Sequence, residues 1–233
     1  MWKLPTFKID IHIHTDHSDA TATFREVVLR AKERGLDGIA ITDHMTIDAF
    51  KDAPQIVEGV LVVPGVEVET KDGHLIVLGV KAVPPRRLSF AEVVGWAHQC
   101  GCLVIVAHPR VMGFSVSVKA MEKTKPDAIE TLNAKVPFKR NNLRSVELAE
   151  QRGLPQTGGS DSHSADTVGD AYTVVYTEEL SVEGVLRAIK EGRVAPEGRL
   201  SGLYSRFSTA VHGIPHAALH KAEGILHFLS RSD

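Results

Sequence analysis

The sequence predicts an α/β fold in which strands and helices alternate around a closed or distorted parallel barrel, with an open α/β sheet as the alternative. Short runs rich in Val and Ile alternate with segments of helical period, beginning with residues 8–14, 24–34 and 37–42. This alternation is typical of βαβ units. The length of 233 residues suits one such domain, and composition is that of an ordinary globular protein.

Local signals predict the remaining elements. Residues 60–69 and 74–80 are predicted strands with so short a connection that a hairpin is expected. Gly101 and Gly153 are expected at helix ends, and Ser181 is expected to cap a helix. Further strands are predicted at 103–107, 128–132, 156–159 and 172–177, and helices at 90–99, 142–152 and 182–191.

Composition and charge narrow the classes of function. The net charge of -2 gives no general basis for a nucleic-acid or membrane surface. Any phosphate binding is therefore expected to be local, and long nucleic acid is not an expected partner. No apolar run approaches a membrane span, and the first eight residues lack a signal-peptide core. We expect a cytoplasmic protein with one domain over residues 1–233, in which residues 200–233 form a tail packed on the barrel or at a homo-oligomer contact.

Six of the twelve histidines lie at or beside predicted strand ends. Because side chains alternate across a strand, two of them on the first strand point to one side, and Asp10 joins them there. A barrel gathers the ends of distant strands at one rim, and imidazole with carboxylate suits Zn, Mn or Fe. The sequence therefore predicts a catalytic metal site. The six are His12, His14, His44, His74, His108 and His163.

Other histidines carry weaker signals. His98 lies on a predicted helix without chemical neighbours, so we interpret it as an ordinary side chain. Four histidines near the C-terminus have near-helical spacing, but a Gly and a Pro separate the first two. A solvated or subunit-facing stripe is therefore favoured over a metal site. These four are His212, His216, His220 and His227.

Short motifs surround the strand-end histidines in a fixed order. They are His-x-His-Thr followed by Ser-Asp, Ile-Thr-Asp-His, Pro-Gly-Val-Glu, Ala-His-Pro, Ile-Glu-x-x-Asn and Gly-Ser-Asp-Ser-His. Each motif is weak alone, but the ordered set resembles the PHP (polymerase and histidinol phosphatase) family from Lys8 to about Tyr176. The resemblance implies a short stand-alone family member with a distorted (β/α)7 barrel of TIM type and two to three divalent metal ions.

The resemblance also implies how the metal ligands are divided. Glu67 is preferred over Glu69 because it completes the Gly-Val-Glu pattern, although both face the same side of the strand. His74 is displaced by two residues from the family pattern, or roughly 6 to 7 Å along a strand, so coordination by His74 or Glu69 stays open. The implied sets are His12, His14, Glu67 and Asp161 for one ion; Glu67, His74 and His108 for the second; and Asp19, His44 and His163 for the third.

These features predict a hydrolase, a metal-dependent phosphomonoesterase acting on a small phosphorylated metabolite or nucleotide. A metal-bridging hydroxide would attack phosphorus in line, with Mn, Zn or Fe as the metal and Mg as a further candidate. The expected catalytic residues are His163, Asp161 and Glu67. Asp10, Asp43 and Glu130 are expected to support the ligands, the first two by orienting imidazoles. The expected substrate contacts are Arg110, Lys135, Ser160 and Asn133.

Two alternatives stay open at this stage. A metal-dependent amidohydrolase would use a similar hydroxide for C–N hydrolysis, although no lysine lies in a convincing bridging position on a barrel strand. A non-catalytic barrel scaffold is the other alternative, and the complete ligand set argues against it. Only about twenty residues separate Pro109 from Glu130, so a separate cap domain has little room and an open cleft is expected.

Overall fold

The structure is a computed structural model that describes residues 3–111, 120–121, 124–203 and 205. Its strands are β1 (Thr6–Ile13), β2 (Gly38–Ile41), β3 (Ile56–Val57), β4 (Val60–Thr70), β5 (Gly73–Leu78), β6 (Leu103–Val106), β7 (Ala128–Asn133), β8 (Gln156–Gly159), β9 (Ala171–Tyr176) and β10 (Val194–Gly198). Its helices are α1 (Phe24–Glu33), α2 (Phe90–Gln99), α3 (Lys139–Arg152) and α4 (Val182–Lys190), and a 3-10 helix covers Ala165–Thr167.

The strands form a nearly closed, distorted barrel. Nine strands follow the order β10-β9-β1-β2-β4-β5-β6-β7-β8, and β3 pairs only with β4. Pairs β1-β2, β2-β4, β6-β7 and β7-β8 are parallel, whereas the others on this path are antiparallel. Beyond β8 the chain returns to β1, where Asp161 N donates to His12 O at 2.8 Å and His14 N donates to Ser162 O at 2.9 Å. The predicted barrel is therefore confirmed.

The predicted hairpin is also present, since β4 and β5 pair antiparallel with Glu69 opposite His74. Ser181 caps α4 by accepting a hydrogen bond from Gly184 N at 3.1 Å. Gly101 and Gly153 end α2 and α3 with φ of 72° and 59°, the left-handed conformation that favours glycine after a helix. Three short elements were not predicted, namely β3, the edge strand β10 and the 3-10 helix at Ala165–Thr167.

Hydrophobic residues on both faces of the sheet explain why the strands appear as nearly continuous apolar runs. One buried cluster contains Ile9, Ile11 and Ile105 together with the inward face of α4. The other packs α1, α2 and α3 against the outside of the sheet. No helix in the described part of the chain is long and apolar enough to cross a membrane.

The predicted C-terminal tail falls almost wholly beyond the described residues. Only residues 200–203 and 205 of the predicted range 200–233 belong to the described part. The stripe formed by His212, His216, His220 and His227 lies outside the described residues and stays a prediction.

Candidate metal centre

Strand direction brings the polar side chains to one rim of the barrel. His12 lies on β1, and His44, His108 and Asp161 follow the carboxyl ends of β2, β6 and β8. His74 instead lies at the beginning of β5. Because β5 runs antiparallel to β4 and β6, its beginning lies beside the end of its neighbours. The hairpin thus delivers a histidine to the same rim from the opposite chain direction.

Glu67 lies at the middle of the cluster. Its Oε1 is 2.8 Å from His74 Nδ1 and 3.1 Å from His108 Nε2. Its Oε2 is 3.1 Å from His14 Nε2 and 3.3 Å from His12 Nε2. The side chain is only 1% exposed. Burial by itself raises the pKa of this carboxyl, but His12 and the hydrogen bonds of the surrounding imidazoles hold that pKa well below its usual range.

Glu130 determines which ring nitrogen of His12 carries the proton. His12 Nδ1 donates to Glu130 Oε1 at 3.0 Å, and both side chains are fully buried. With Nδ1 protonated, the Nε2 lone pair of a neutral His12 points into the cluster, 3.2 Å from His14 Nε2. Burial lowers the pKa of His12, but the combined attraction of Asp161, Glu130 and Glu67 raises it well above its usual value. The three carboxylates around His12 therefore favour a positive charge at this position.

The spacing of these atoms fits a bound cation. Ligand atoms about 2.1 Å from one ion lie roughly 3.0 to 3.4 Å from each other. The separations of 3.2 Å between the His12 and His14 Nε2 atoms and of 3.1 Å between His14 Nε2 and Glu67 Oε2 fall in that range. Two nitrogen lone pairs and a carboxylate oxygen repel one another at this distance unless a proton or a metal ion lies between them.

Two buried nitrogens lead to the same conclusion. His14 Nδ1 and His44 Nδ1 make no hydrogen bond within the described residues, although buried polar atoms are normally paired. Their nearby carboxylate oxygens are at 3.8 Å on Asp19 and 3.5 Å on Glu67. Burial also lowers the pKa of His14 to about 3, so its imidazole is neutral and able to bind a metal. The donor set therefore fits divalent metal ions.

The described residues contain four groups whose ligand atoms all lie within 4.8 Å of one another. Every residue of the three ligand sets implied by the family resemblance occurs in at least one group. The division differs, because His14 belongs to two groups and His74 and His108 fall into separate ones. The groups are His14, Asp19, His44 and His163; His12, His14 and Asp161; His12, Glu67 and His108; and His44, Glu67 and His74.

The two residues with an open role lie at different depths. His74 is 15% exposed and contacts Glu67 directly, despite its displaced position in the sequence. Glu69 is 58% exposed, and its Oε1 is 3.6 Å from His44 Nδ1. Glu67 is therefore the central carboxylate, and Glu69 lies at the solvent edge of the cluster.

Asp19 and His163 form the outer side of the cluster. His163 Nδ1 donates to the carbonyl oxygen of Asp161 at 3.0 Å, so in the neutral imidazole Nε2 carries the lone pair. That atom lies 3.2 Å from Asp19 Oδ2. Burial raises the pKa of Asp19, but His163, His14 and His44 outweigh it and lower the pKa below its usual range. The pair of His163 and Asp19 therefore places a nitrogen lone pair beside a carboxylate oxygen, as His12 and His14 do with Glu67.

Two of the three expected supporting carboxylates act on the backbone rather than on imidazoles. Asp10 accepts from the backbone amides of Ser160 and Gly169, each at 2.9 Å. Asp43 accepts from Thr15 N and Thr15 Oγ1, each at 2.6 Å. No hydrogen bond joins either carboxylate to an imidazole in the described residues. Donors from nearby loops thus occupy both carboxylates, and their expected role in orienting ligand rings stays a prediction.

Burial raises the pKa of Asp10 to about 7, while the amides that donate to it act in the opposite direction. By accepting hydrogen bonds from the amides of Ser160 and Gly169, Asp10 fixes the loop after β8 that carries Asp161 and His163. Glu130 alone among the three expected supports contacts an imidazole, that of His12.

The four expected substrate contacts divide into two kinds. Lys135 reaches the cluster, with Nζ 3.9 Å from Asp161 Oδ1; burial lowers the pKa of this amine, against the attraction of nearby carboxylates. Arg110 lines a neighbouring cleft with Phe138. Asn133 and Ser160 are both fully buried, so neither is accessible to a substrate.

Asn133 and Ser160 instead position other groups. Asn133 Nδ2 donates to Glu130 Oε2 at 3.0 Å and to Asp161 Oδ2 at 3.1 Å. Ser160 Oγ donates to His12 O at 3.3 Å. Their hydrogen-bonding atoms are used in the polar layer beneath the rim, and their assignment as substrate contacts stays a prediction.

Gly159 is a site residue that the sequence analysis missed. A Cβ at this position would lie 2.6 Å from His12 Cβ and 2.8 Å from Glu130 Oε1. Only glycine lets the end of β8 approach β1, the strand that carries His12, so closely. The signal was available in the Gly-Ser-Asp motif, where the glycine directly precedes the buried loop.

Comparison with known proteins agrees with this geometry. A PHP domain matches residues 10–89, and a PHP-associated domain matches residues 139–194. An uncharacterized protein of Methanocaldococcus jannaschii is 33% identical over 115 residues, which cover 44% of this chain and 67% of the relative. The probable phosphatase YcdX of Escherichia coli O1:K1 is 27% identical over 202 residues, covering 70% of this chain and 82% of the relative.

A solved structure shares the fold. It is a two-domain protein from Bacteroides vulgatus that contains a predicted PHP-like metal-dependent phosphoesterase. It superposes with a TM-score of 0.68 at 20% sequence identity and covers 88% of this chain and 70% of its own. At this identity the similarity demonstrates the barrel fold.

Proposed function

The chain belongs to the PHP family, and from this membership and the geometry of the metal centre we propose that it is a metal-dependent phosphoesterase. More finely, we propose a phosphomonoesterase that acts on a small phosphorylated metabolite or nucleotide. The observation that carries the proposal is the convergence of four imidazoles on the buried carboxylate of Glu67. The relatives named as a probable phosphatase and as a phosphoesterase support the reaction class.

Divalent ions such as Mn, Zn, Fe or Mg would, when bound, lower the pKa of water and neutralise charge on the phosphate oxygens. The residues proposed to hold them are the nine of the four groups. Glu130 keeps His12 in the tautomer that presents Nε2 to the centre. Asn133 donates a hydrogen bond to the Asp161 carboxylate, and the ammonium group of Lys135 forms an ion pair with it.

Two partly exposed groups are suited to act on the substrate itself. Lys135 is 12% exposed and presents an ammonium group beside Asp161, where it would contact a phosphate oxygen. His163 is also 12% exposed, with Nδ1 tied to the backbone and Nε2 facing the opening. A proton carried on Nε2 would be available to the leaving oxygen. Because a metal-bound Nε2 carries no proton, we propose that His163 acts as the general acid when Nε2 is not bound to an ion, and as a metal ligand otherwise.

The proposal is tested by comparing substrate classes on one preparation. Metal-stripped protein is reconstituted with Mn, Zn, Fe or Mg and assayed with nucleoside monophosphates, histidinol phosphate, a chromogenic phosphate ester, amides and cyclic ureas. Metal-dependent phosphate release with kcat in the typical enzyme range of about 1 to 1000 per second is expected. Turnover of amides alone would instead identify an amidohydrolase, and metal binding without any turnover would identify a scaffold.

A further inference from the structure

After β10 the chain runs along the rim of the barrel in a short segment, residues 198–201, which we call the C-terminal strap. β9 is antiparallel to β1, and β10 is antiparallel to β9 with Gly198 opposite Ala171. β10 therefore runs in the same direction as β1 and ends at the rim that carries the metal centre. The strap lies outside both ranges matched by the family, residues 10–89 and 139–194.

The strap begins against the end of the loop that follows β8. Gly198 has a φ of 125°, and a Cβ at this position would overlap the carbonyl oxygen of Asp170. Arg199 N donates to the same carbonyl oxygen at 2.7 Å. The Asp170 carboxylate forms an ion pair with Arg34 of α1 at 3.4 Å. Because only glycine allows this approach, the strap is joined closely to the loop that carries His163.

The strap ends against the loop that follows β7. Ser201 N donates to Ala134 O at 2.8 Å, and Ala134 N donates to Gly159 O at 3.1 Å. Ala134 is fully buried, and Ser201 is only 3% exposed. A buried carbonyl group requires a hydrogen-bond partner, and the strap supplies one here. Ala134 is thus fixed by the end of β8 through its amide and by the strap through its carbonyl group.

Lys135 directly follows this fixed residue. In the described part of the chain its Nζ makes no hydrogen bond, and its ion pair with Asp161 Oδ1 is long, at 3.9 Å. The four-carbon side chain of lysine is flexible, so side-chain contacts alone hold the ammonium group weakly. Its position depends on the backbone, where Lys135 N donates to Asn133 Oδ1 at 2.9 Å and Ser201 holds the preceding residue.

The two loops joined by the strap carry the two groups that we propose to act on the substrate. Lys135 belongs to the loop after β7, and His163 belongs to the loop after β8. A phosphate that contacts both groups requires a fixed separation between the loops. Pre-organised groups bind a ligand more tightly because less conformational freedom is lost on binding.

We propose that the C-terminal strap is a positioning element of the phosphate site, which holds Lys135 against the loop that carries Asp161 and His163. Ser201 and Gly198 are its positioning residues and do not contact the substrate themselves. The inference rests on the proposed phosphoesterase function only where Lys135 contacts a phosphate oxygen. The mechanical link from the strap to Lys135 is measurable without any turnover.

Two pairs of variants in the full chain test this link. S201P removes the backbone donor to Ala134 O, whereas S201A keeps it; the Ser201 hydroxyl has no partner in the described residues, so S201A is the matched control. G198A introduces the overlap with Asp170 O, whereas no atom lies within 4 Å of a Cβ at Gly202, so G202A is the second control. Urea unfolding establishes which variants fold, and either pair alone is sufficient.

The first measurement is the rate of reductive methylation of Lys135 in metal-free protein, followed by peptide mass spectrometry. Lys135 is 12% exposed, so loosening of its loop should expose the amine. The rate is expected to rise by about threefold or more in S201P and G198A and to stay unchanged in S201A and G202A. Lys32, which is 56% exposed, is the internal reference.

The second measurement uses protein reconstituted with Mn and a chromogenic phosphate ester. S201P is expected to raise KM by about fivefold or more, and to raise the inhibition constant of inorganic phosphate by the same factor. A merely structural role would reduce the amount of active protein, which lowers kcat and leaves KM unchanged. In a K135A background S201P should have no further effect on KM, because residues that act through one contact are not additive.

The outcomes separate this inference from the proposed function. Faster methylation of Lys135 in S201P or G198A supports the strap even if the wild type releases no phosphate with any metal, a result that would refute the phosphoesterase alone. Unchanged methylation and unchanged KM in a folded S201P or G198A would overturn the inference while phosphate release by the wild type stands. An equal rise of KM by S201P with and without Lys135 would also overturn it.

Discussion

Replacing Glu130 by Gln tests how the barrel prepares His12 for metal binding. Glu130 Oε2 accepts from His108 N at 2.9 Å and from Asn133 Nδ2 at 3.0 Å, and Oε1 accepts from His12 Nδ1 at 3.0 Å. A glutamine has one acceptor oxygen, and two donors face the Oε2 position. The amide oxygen is therefore expected there, and its NH2 group will face His12. His12 must then accept at Nδ1, which moves its proton to Nε2.

That proton would point at His14 Nε2 and Glu67 Oε2, 3.2 Å and 3.3 Å from His12 Nε2. Metal binding must displace it, so the metal affinity of E130Q is expected to fall by about 10- to 100-fold. If the amide turns the other way, two buried donors lose their acceptor at a cost of about 1–3 kcal/mol each. In that case the free energy of unfolding should fall instead.

Competition with a fluorescent zinc chelator measures the affinity, and urea unfolding of the metal-free protein measures stability. Nitrogen-detected NMR of the imidazoles identifies the tautomer of His12 directly. E197Q is the matched control, because Glu197 is exposed and accepts only from Tyr172 Oη in the described residues. If E130Q retains both the metal affinity and the stability of the wild type, Glu130 does not orient His12 and the reasoning is refuted.

Two further predictions concern the support of the centre. Substituting Gly159 by Ala is expected to weaken metal binding and to destabilise the protein by about 1–3 kcal/mol, because the new Cβ would lie 2.6 Å from His12 Cβ. The control G95A should instead be neutral or stabilising by up to about 1 kcal/mol in urea unfolding, since no atom lies within 4 Å of a Cβ in that helix. Replacing Asp10 by Asn should cost about 1–3 kcal/mol at pH 8, because one amide donor, Ser160 N or Gly169 N, would face an NH2 group; an unchanged urea midpoint would contradict this.

The fold was largely predictable because its signals are local. Apolar runs buried on both faces, glycines at helix ends and the short connection between β4 and β5 each follow from a few neighbouring residues. β10 escaped prediction because Pro196 lies in it, and a proline is compatible only with an edge strand. β3 has just two residues, too few for any periodicity. Both depend on a partner strand that the local sequence does not reveal.

The cluster of histidines and acids was more predictable from the sequence than the residues that surround it. Histidines and acids at strand ends converge because the barrel has one rim, so residue type and position sufficed to place His12 or His108 in the cluster. The roles of Asn133 and Ser160 depended on depth below that rim, which motifs do not encode. Similarly, Asp10 and Asp43 meet backbone amides because of loop conformations that form only in the folded chain.

Asp161 offers the most direct test of the central claim that this cluster holds the metals needed for phosphate release. Its φ of 52° is left-handed, a conformation that Asn tolerates well, so D161N should keep the fold while losing a charged ligand beside His12 and His14. Phosphate release is measured for metal-stripped wild type and D161N during titration with Mn. We predict saturable, metal-dependent release by the wild type and none by a folded D161N. Retained release by D161N, or release by the stripped wild type without metal, would contradict the account.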